Sequence, residues 1–390
     1  MRRAAFGLVA GAALGAGVRA AGSALVARAE LRKNLTHRPP PYEASPRARE
    51  LHRSILVADL HADSLLWGRD LLQRADRGHV DVPRLVEGGV ALETFAACVK
   101  VPRHLNIERN NGRTDDVTLL ALAQGWPPTT WRSLLARTLH MARRLDRMAA
   151  ASAGVLRVIR SRNDIAAYVD RRREDPGITA GILAIEGAHA LDGDPANVDV
   201  VADAGFRMMS PSHFFDNEFG GSAHGVDKGG LTDLGREMIA RMEARSMLVD
   251  VSHASVATID DVLSVAARPV VASHTGVRAT CDNVRNLSDE HLRGIAATGG
   301  LVGIGFWPTV SCGDDAAAVA RSVRHAVNVA GIEHVALGSD FDGAVPLPFD
   351  ATGLVQVTDE LLEAGFDDDE VGKVMGGNVF QLLSATLPEA

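Results

Sequence analysis

The chain is poor in cysteine, with three in 390 residues: Cys98, Cys281 and Cys312. They are widely spaced and form no C-x-x-C pair, so neither a disulfide framework nor a thiolate zinc knuckle is signalled. Any metal is therefore expected on histidine and carboxylate. Basic residues are not in excess either. Lys and Arg number 41 against 49 Asp and Glu, a formal charge of -8, with a pI near 6.0. That argues against a dedicated nucleic-acid binder and for a small or peptide-like ligand. No internal repeat is visible, which excludes an array of repeated units.

Long apolar runs are also missing, with one exception. Arg2 and Arg3 precede an uncharged stretch from Ala4 to Val18, which has the length and charge order of a signal peptide and is short for a membrane span. Residues 1–29 are thus expected to be a signal peptide or an N-terminal membrane anchor, with small residues placing a cleavage after Ala20 or Ala29. The protein is expected to be exported, periplasmic or extracellular, or held at the membrane by this segment. Residues 30–50 read as a linker stiffened by Pro39, Pro40 and Pro41, and residues 51–390 as the folded body.

With 46% hydrophobic residues, the body has core enough for one large barrel or two ordinary domains. Two stretches organise it: "MLVDVSH", ending at His253, and "PVVASH", ending at His274. The spacing of "ASVATIDDVLSVAAR" between them predicts one amphipathic helix, hence a strand, helix, strand unit. Similar apolar runs recur. "ILVADLHAD" (Ile55 to Asp63) and "VALETFAACV" (Val90 to Val99) predict strands one and two. "ITAGILAIEGAHAL" and "FRMMSPSH" predict three and four, the two Ser-His runs five and six, "GLVGIGFW" and "HVALGSDFDG" seven and eight. Eight strands alternating with helices is the count of an α/β (β/α)8 TIM-like barrel.

Helix signals agree. In "LTDLGREMIARMEARS" Leu234, Met238, Ile239 and Met242 form an apolar face behind a Thr232 or Asp233 cap. "SDEHLRGIAATGG" starts at Ser288 and stops at Gly299-Gly300. The stretch from Arg103 to Glu174 is too long for one crossover and predicts a helical insertion between strands two and three. Within it Trp131, Leu134, Leu135, Ala142 and Leu145 form a stripe, and the many arginines read as a solvated face.

Polar residues collect at the strand ends: His61 and Asp63, Glu186, His213, His253, His274 and Asp340. In a parallel barrel these ends share one face, where such enzymes carry their chemistry. The His-x-Asp pair sits on an extended segment, so both side chains point the same way. Three neutral imidazoles and two carboxylates suit one or two Zn²⁺ ions, which accept N and O ligands.

The pieces "DLHAD", "AIEGAHAL", "SPSHFFDN", "DVSHAS", "SHTGVR", "VRNLSDE", "GSDFDG" and "GGNVFQLL" resemble the membrane (renal-type) dipeptidases, zinc enzymes related to the amidohydrolase barrels. The resemblance runs from about Ile55 to Leu383. It implies two Zn²⁺ ions per chain, one on His61 and Asp63, one on His253 and His274, bridged by Glu186. It also implies substrate-binding and catalytic roles for His213, Arg285 and Asp340, a dipeptide substrate and a homodimer. A water shared by two zinc ions is a hydroxide near neutrality, able to attack a peptide carbonyl. Asp340 would then act as general acid and base, His213 would stabilise the oxyanion, and the fork of Arg285 would hold a free α-carboxylate.

Departures remain. Where mammalian members carry a tryptophan after the His-x-Asp pair, this chain has Leu66, with Trp67 next. The insertion and the loop from Phe214 to Gly230 match poorly and are expected to line the mouth. His189 and His224 read as supporting or loop residues. Asp342 should face the same way as Asp340, and the resemblance favours Asp340. Cys281 lies in the loop leading to Arg285 with no partner motif. The alternative function is a metal-dependent amidohydrolase of the same barrel class acting on another amide, lactam or ester; a non-catalytic barrel would require a lost ligand, and none is missing.

Overall fold

The computed structural model describes residues 20–389. The signal-peptide run from Ala4 to Val18 lies outside them. Among the described residues no helix is long and apolar enough to cross a membrane.

Among the described residues nine strands form, all paired in parallel: β1 (Val57–Ala62), β2 (Val90–Ala97), β3 (Leu156–Val158), β4 (Thr179–Ile185), β5 (Phe206–Met209), β6 (Leu248–Asp250), β7 (Val270–Thr275), β8 (Leu301–Ile304) and β9 (Val335–Leu337). Eight of them close a barrel in the order β1-β2-β4-β5-β6-β7-β8-β9 and back to β1, the expected architecture. The ninth, β3, was not foreseen. Ala180 and Gly181 of β4 pair with β2 and with β3, while Leu183 to Ile185 pair with β2 and β5. β3 therefore extends the edge of β4 ahead of the point where β5 takes over. Three residues with an exposed centre carry no readable period. The barrel strands β1, β2, β4, β6, β7, β8 and β9 are buried at every position, as parallel strands covered on both faces must be, which is why their sequences run apolar without alternation.

The helices start where side chains can accept from free N–H groups. Thr232 caps Asp233–Ala244 by accepting from Gly235 N–H, and Ser288 caps Asp289–Ala297 by accepting from His291 N–H. Met238, Ile239 and Met242 are buried as expected, but Leu234, in the first turn, is 38% exposed. The insertion is helical, with Asp116–Ala123, Leu134–Ala151 and Arg162–Glu174. Its apolar stripe buries Met141, Ala142 and Leu145, whereas Trp131 sits in a short 3-10 turn and is 40% exposed. Most of its arginines are exposed, as expected of a solvated face, but a few turn inward. Arg137 is buried and donates to Thr130 O at 2.6 Å, Val99 O at 2.7 Å and Asp115 Oδ2 at 2.6 Å. Arg144 donates to Leu65 O and Trp67 O. These guanidiniums donate to backbone carbonyls of the loops after β1 and β2, and their long stems carry the charge inward.

Two further expectations change. Cys281 and Cys312 are joined in a disulfide, with Cα atoms 5.4 Å apart; the partner lies across β8, 31 residues away, and sequence spacing says nothing of that proximity. The stretch read as a linker lies on the body: His37 N–H donates to Leu347 O at 2.8 Å, and the Tyr42 hydroxyl accepts from Asp350 N–H at 2.9 Å.

Barrel closure is tight behind the ligand strands. A β-carbon on Gly338 would lie 1.9 Å from the Ser273 carbonyl oxygen and 2.9 Å from His274 Cα. Gly338→Val is expected to force β9 and β7 apart and lower stability by roughly 1–3 kcal/mol, the usual cost of overpacking; an unmoved urea midpoint would show that the strands are not packed this closely.

Candidate active site

At the carboxyl ends of the strands one carboxylate meets four imidazoles. Glu186, just past β4, places Oε1 3.6 Å from His61 Nε2, 3.3 Å from His213 Nε2, 3.2 Å from His253 Nε2 and 3.4 Å from His274 Nε2. His61 Nε2 is 3.8 Å from Asp63 Oδ2, and His253 Nε2 is 2.9 Å from His274 Nε2. His61, Asp63 and Asp340 form a second group whose potential ligand atoms lie within 4.8 Å of one another. All these side chains are buried. Yet His61 Nε2, Asp63 Oδ1, Glu186 Oε2 and His253 Nδ1 have no hydrogen-bond partner. Buried polar atoms left unpaired are costly, and His61 Nε2, Asp63 Oδ1 and Glu186 Oε2 belong to the groups that could hold N/O-ligated cations. The residues present fit such a centre.

The strands below aim the imidazoles through a device used twice. Asp250, ending β6, accepts from Ser273 N–H and Ser273 Oγ on β7, at 2.9 and 2.6 Å. Ser273 Oγ then lies 2.9 Å from His274 Nδ1 and 3.5 Å from His61 Nδ1. On the other side Asp59 of β1 accepts from Ser339 N–H at 2.7 Å, pinning the turn that carries Asp340. Such outer partners fix ring orientation and tautomer. The backbone is strained at the same places: His253 has φ 63° and Asp340 φ 62°. Non-glycine residues held left-handed cost about 1–3 kcal/mol each, and here the bend lifts each side chain off its strand into the cluster.

Burial shapes the charges. It holds the imidazoles of His213, His253 and His274 well below the ordinary histidine range, so they are neutral at pH 7, the form that ligates. His61 goes the other way. Burial opposes its charge, but Asp63, Glu186 and Asp340 surround it and raise it to about 10. Burial first, then the charge of Asp63, pushes Glu186 well above the usual carboxylate range, and burial lifts Asp340 to about 8.

A cavity of about 890 Å³ opens over this cluster and reaches Asp63, Glu186, His213, His253, Arg285 and Asp340. Arg285 is buried, with Nε unpaired and its guanidinium 5.6 Å from the Trp307 ring centre. Leu66 and Trp67 both border the cavity, as do Phe214 and His224 of the loop expected at the mouth. His224 Nδ1 lies 2.6 Å from Ile107 O; His189 packs its ring 4.8 Å from Phe215. Asp342 does not face with Asp340. Both residues have φ 62°, which breaks strand alternation, and Asp342 turns away to accept from Ser64 Oγ and His79 N–H, each at 2.6 Å, and from Arg69. Sequence reasoning missed Cys98, whose thiol lies 3.9 Å from His213 Nδ1, and Asp59 and Asp250. The last two had a signal in D-x-H and D-x-S-H, an aspartate just ahead of each ligand.

A (β/α)8 barrel with an imidazole and carboxylate cluster at this face defines a metal-dependent hydrolase. The chain belongs to the membrane dipeptidase family, peptidase family M19, which matches residues 45–387; it is a metallopeptidase of the dipeptidase type. Dipeptidase aclJ of Aspergillus oryzae is 35% identical over 218 residues, 53% of this chain and 52% of that protein. Among solved structures, the metallopeptidase dipeptidase AC of family M19 has a TM-score of 0.70 at 27% identity, covering 85% of this chain and 99% of that one. A metallopeptidase of Rhodobacter sphaeroides, solved with a phosphinate mimic of the dipeptide L-Ala-D-Ala, has a TM-score of 0.67 at 27% identity, covering 85% and 99%.

Metal uptake should therefore expel protons. In the metal-free site the neighbouring carboxylates raise His61 to about 10 and burial raises Asp340 to about 8, so both hold protons more tightly than the free side chains do, while burial lowers His253 and His274. Apparent zinc affinity is expected to climb from pH 6 to 9, with net proton release seen by calorimetry in buffers of different ionisation enthalpy. Affinity independent of both pH and buffer would contradict the charge assignment.

Proposed function

We propose that this chain is a binuclear zinc dipeptidase, with His61 and Asp63 holding one ion, His253 and His274 the other, and Glu186 between them. The observation that carries this reading is the convergence of four imidazole nitrogens on one buried carboxylate oxygen, at 3.2 to 3.6 Å. When bound, the two ions supply Lewis acidity and a water acidic enough to attack a peptide carbonyl. The chain's own residues do the rest.

Arg285 orients the substrate. Its buried fork, backed by Trp307, pairs with a free α-carboxylate and ties affinity to a chain end one residue beyond the scissile bond. His213, neutral through burial, donates to the carbonyl oxygen as negative charge grows there. Asp340 takes the proton of the attacking water and returns it to the departing amine, and its place beside His61 and Asp63 suits it to both transfers. The substrate range includes dipeptides with a C-terminal D-residue, a reading supported by the ligand of the Rhodobacter sphaeroides relative. The leader-like N-terminus and the Cys281–Cys312 disulfide support export to an oxidising compartment, either free or held by the N-terminal segment, as a homodimer.

The test is metal content by elemental analysis together with a dipeptide panel that includes L-Ala-D-Ala and N-acetylated and C-amidated controls. Two zinc per chain and cleavage confined to substrates with a free carboxylate are expected. Two metals with no dipeptide cleavage would point to another amide, lactam or ester. Glu186→Gln should lose zinc and activity together. Asp340→Asn should keep zinc and lose about 10²–10⁴-fold in kcat, the worth of a general acid and base; a full-rate Asp340→Asn enzyme would rule out the proton transfer.

A further inference from the structure

The family match begins at residue 45, yet residues 20–33 form a helix that borders the cavity above the site through Leu25, Val26, Ala29 and Lys33. We infer that this helix is a wall of the substrate site and selects dipeptides bearing a large apolar side chain. The inference rests on the dipeptidase reading.

The helix is seated at three separate points. Near its start, a β-carbon on Gly22 would fall 2.2 Å from the Ala123 carbonyl oxygen, so the helix touches the end of the insertion helix Asp116–Ala123 backbone to backbone, and only glycine fits. Further along, Glu30 is 1% exposed and is clamped by Arg69 and by Arg77 Nε at 2.8 Å. Just beyond its end, Asn34 Oδ1 accepts from Ala344 N–H at 2.9 Å. Arg69 also binds Asp342, which accepts from Ser64, the neighbour of Asp63. The anchor of the helix thus reaches the turn that follows the first ligand pair. An acid buried between two arginines is a costly contact to build for a dispensable leader.

The cavity this helix completes is oversized and apolar. Its volume, about 890 Å³, lies in the range of sites for drug-sized ligands, beyond the need of two small residues. Leu25 on the helix and Leu105 and Leu119 of the insertion line the same cavity, and these three are 64, 45 and 53% exposed. Exposed apolar walls continuous with a catalytic cluster gain from covering by an apolar group of the substrate. One wall, the N-terminal helix, lies ahead of the stretch that matches the family, while the insertion and the polar floor lie within it.

The test uses the full-length, zinc-loaded enzyme and compares L-Phe-Gly and L-Leu-Gly with L-Ala-Gly. Leu25→Asp charges the wall without touching the core, and Gly22→Leu levers the helix off Ala123. Each is expected to lower the kcat/KM ratio of L-Phe-Gly to L-Ala-Gly five- to tenfold, chiefly through KM. A ratio unchanged in both variants overturns the selecting role while leaving the dipeptidase reading intact; a wild-type enzyme that cleaves none of the three overturns both. An independent readout is the N-terminus of the exported protein by mass spectrometry. A start at Met1 or Ala21 keeps the helix and is expected; a start at Glu30 removes the wall and overturns the inference.

Discussion

The structure depends on one constraint: carboxyls and imidazoles able to carry charges of both signs are buried within a few ångströms of one another. Glu186 Oε1 faces four imidazole nitrogens, and Asp63 and Asp340 stand on the far side of His61. Protons or cations must make up the balance. Burial and neighbouring carboxylates make His61 and Asp340 hold protons tightly, and bound cations would take the place of those protons. A site so arranged exchanges one form of neutrality for another, and burial that would be a liability elsewhere becomes the source of its affinity.

Holding such a cluster requires a scaffold that does not relax. The closed parallel barrel supplies it, because every strand end is fixed by two neighbours and cannot splay. The aspartates at positions 59 and 250 reinforce this by bonding the serines of adjacent strands, so His61, His274 and Asp340 are set by cross-strand contacts as well as by their own backbone. The left-handed residues His253 and Asp340 carry local strain that the surrounding pairing absorbs. Arg137 and Arg144 brace the loops above by donating to their backbone carbonyls.

The substrate mouth is built on another principle. Its floor is polar and set by the strands, and its walls are apolar and come from segments outside the barrel's repeat, the helix at residues 20–33 and the insertion from Arg103 to Glu174. Chemistry and selectivity are thereby separated. Loops and appended helices can vary without disturbing strand ends, which is the general reason a barrel face tolerates change in specificity.

The number of barrel strands, the barrel class and the identity of the clustered residues were legible in the chain itself. Buried parallel strands are continuous apolar runs, and a polar residue at the end of such a run has one place to go; this alone places His61, Asp63, Glu186, His213, His253, His274 and Asp340 on one face. What the sequence could not carry was every feature set by partners distant along the chain. Asp342 was expected to face with Asp340 until left-handed turns broke the alternation. Cys281 finds Cys312 across a strand, and Arg137 turns inward because Val99 and Thr130 carbonyls await it. The three-residue β3 has no period to read, and the helix at residues 20–33, inside a stretch resembling a leader, takes its meaning from Ala123, Arg69 and Ala344. Periodicity and strand ends are local and survive in one dimension; the direction of a side chain and its choice of partner are decided by packing, which exists only in three.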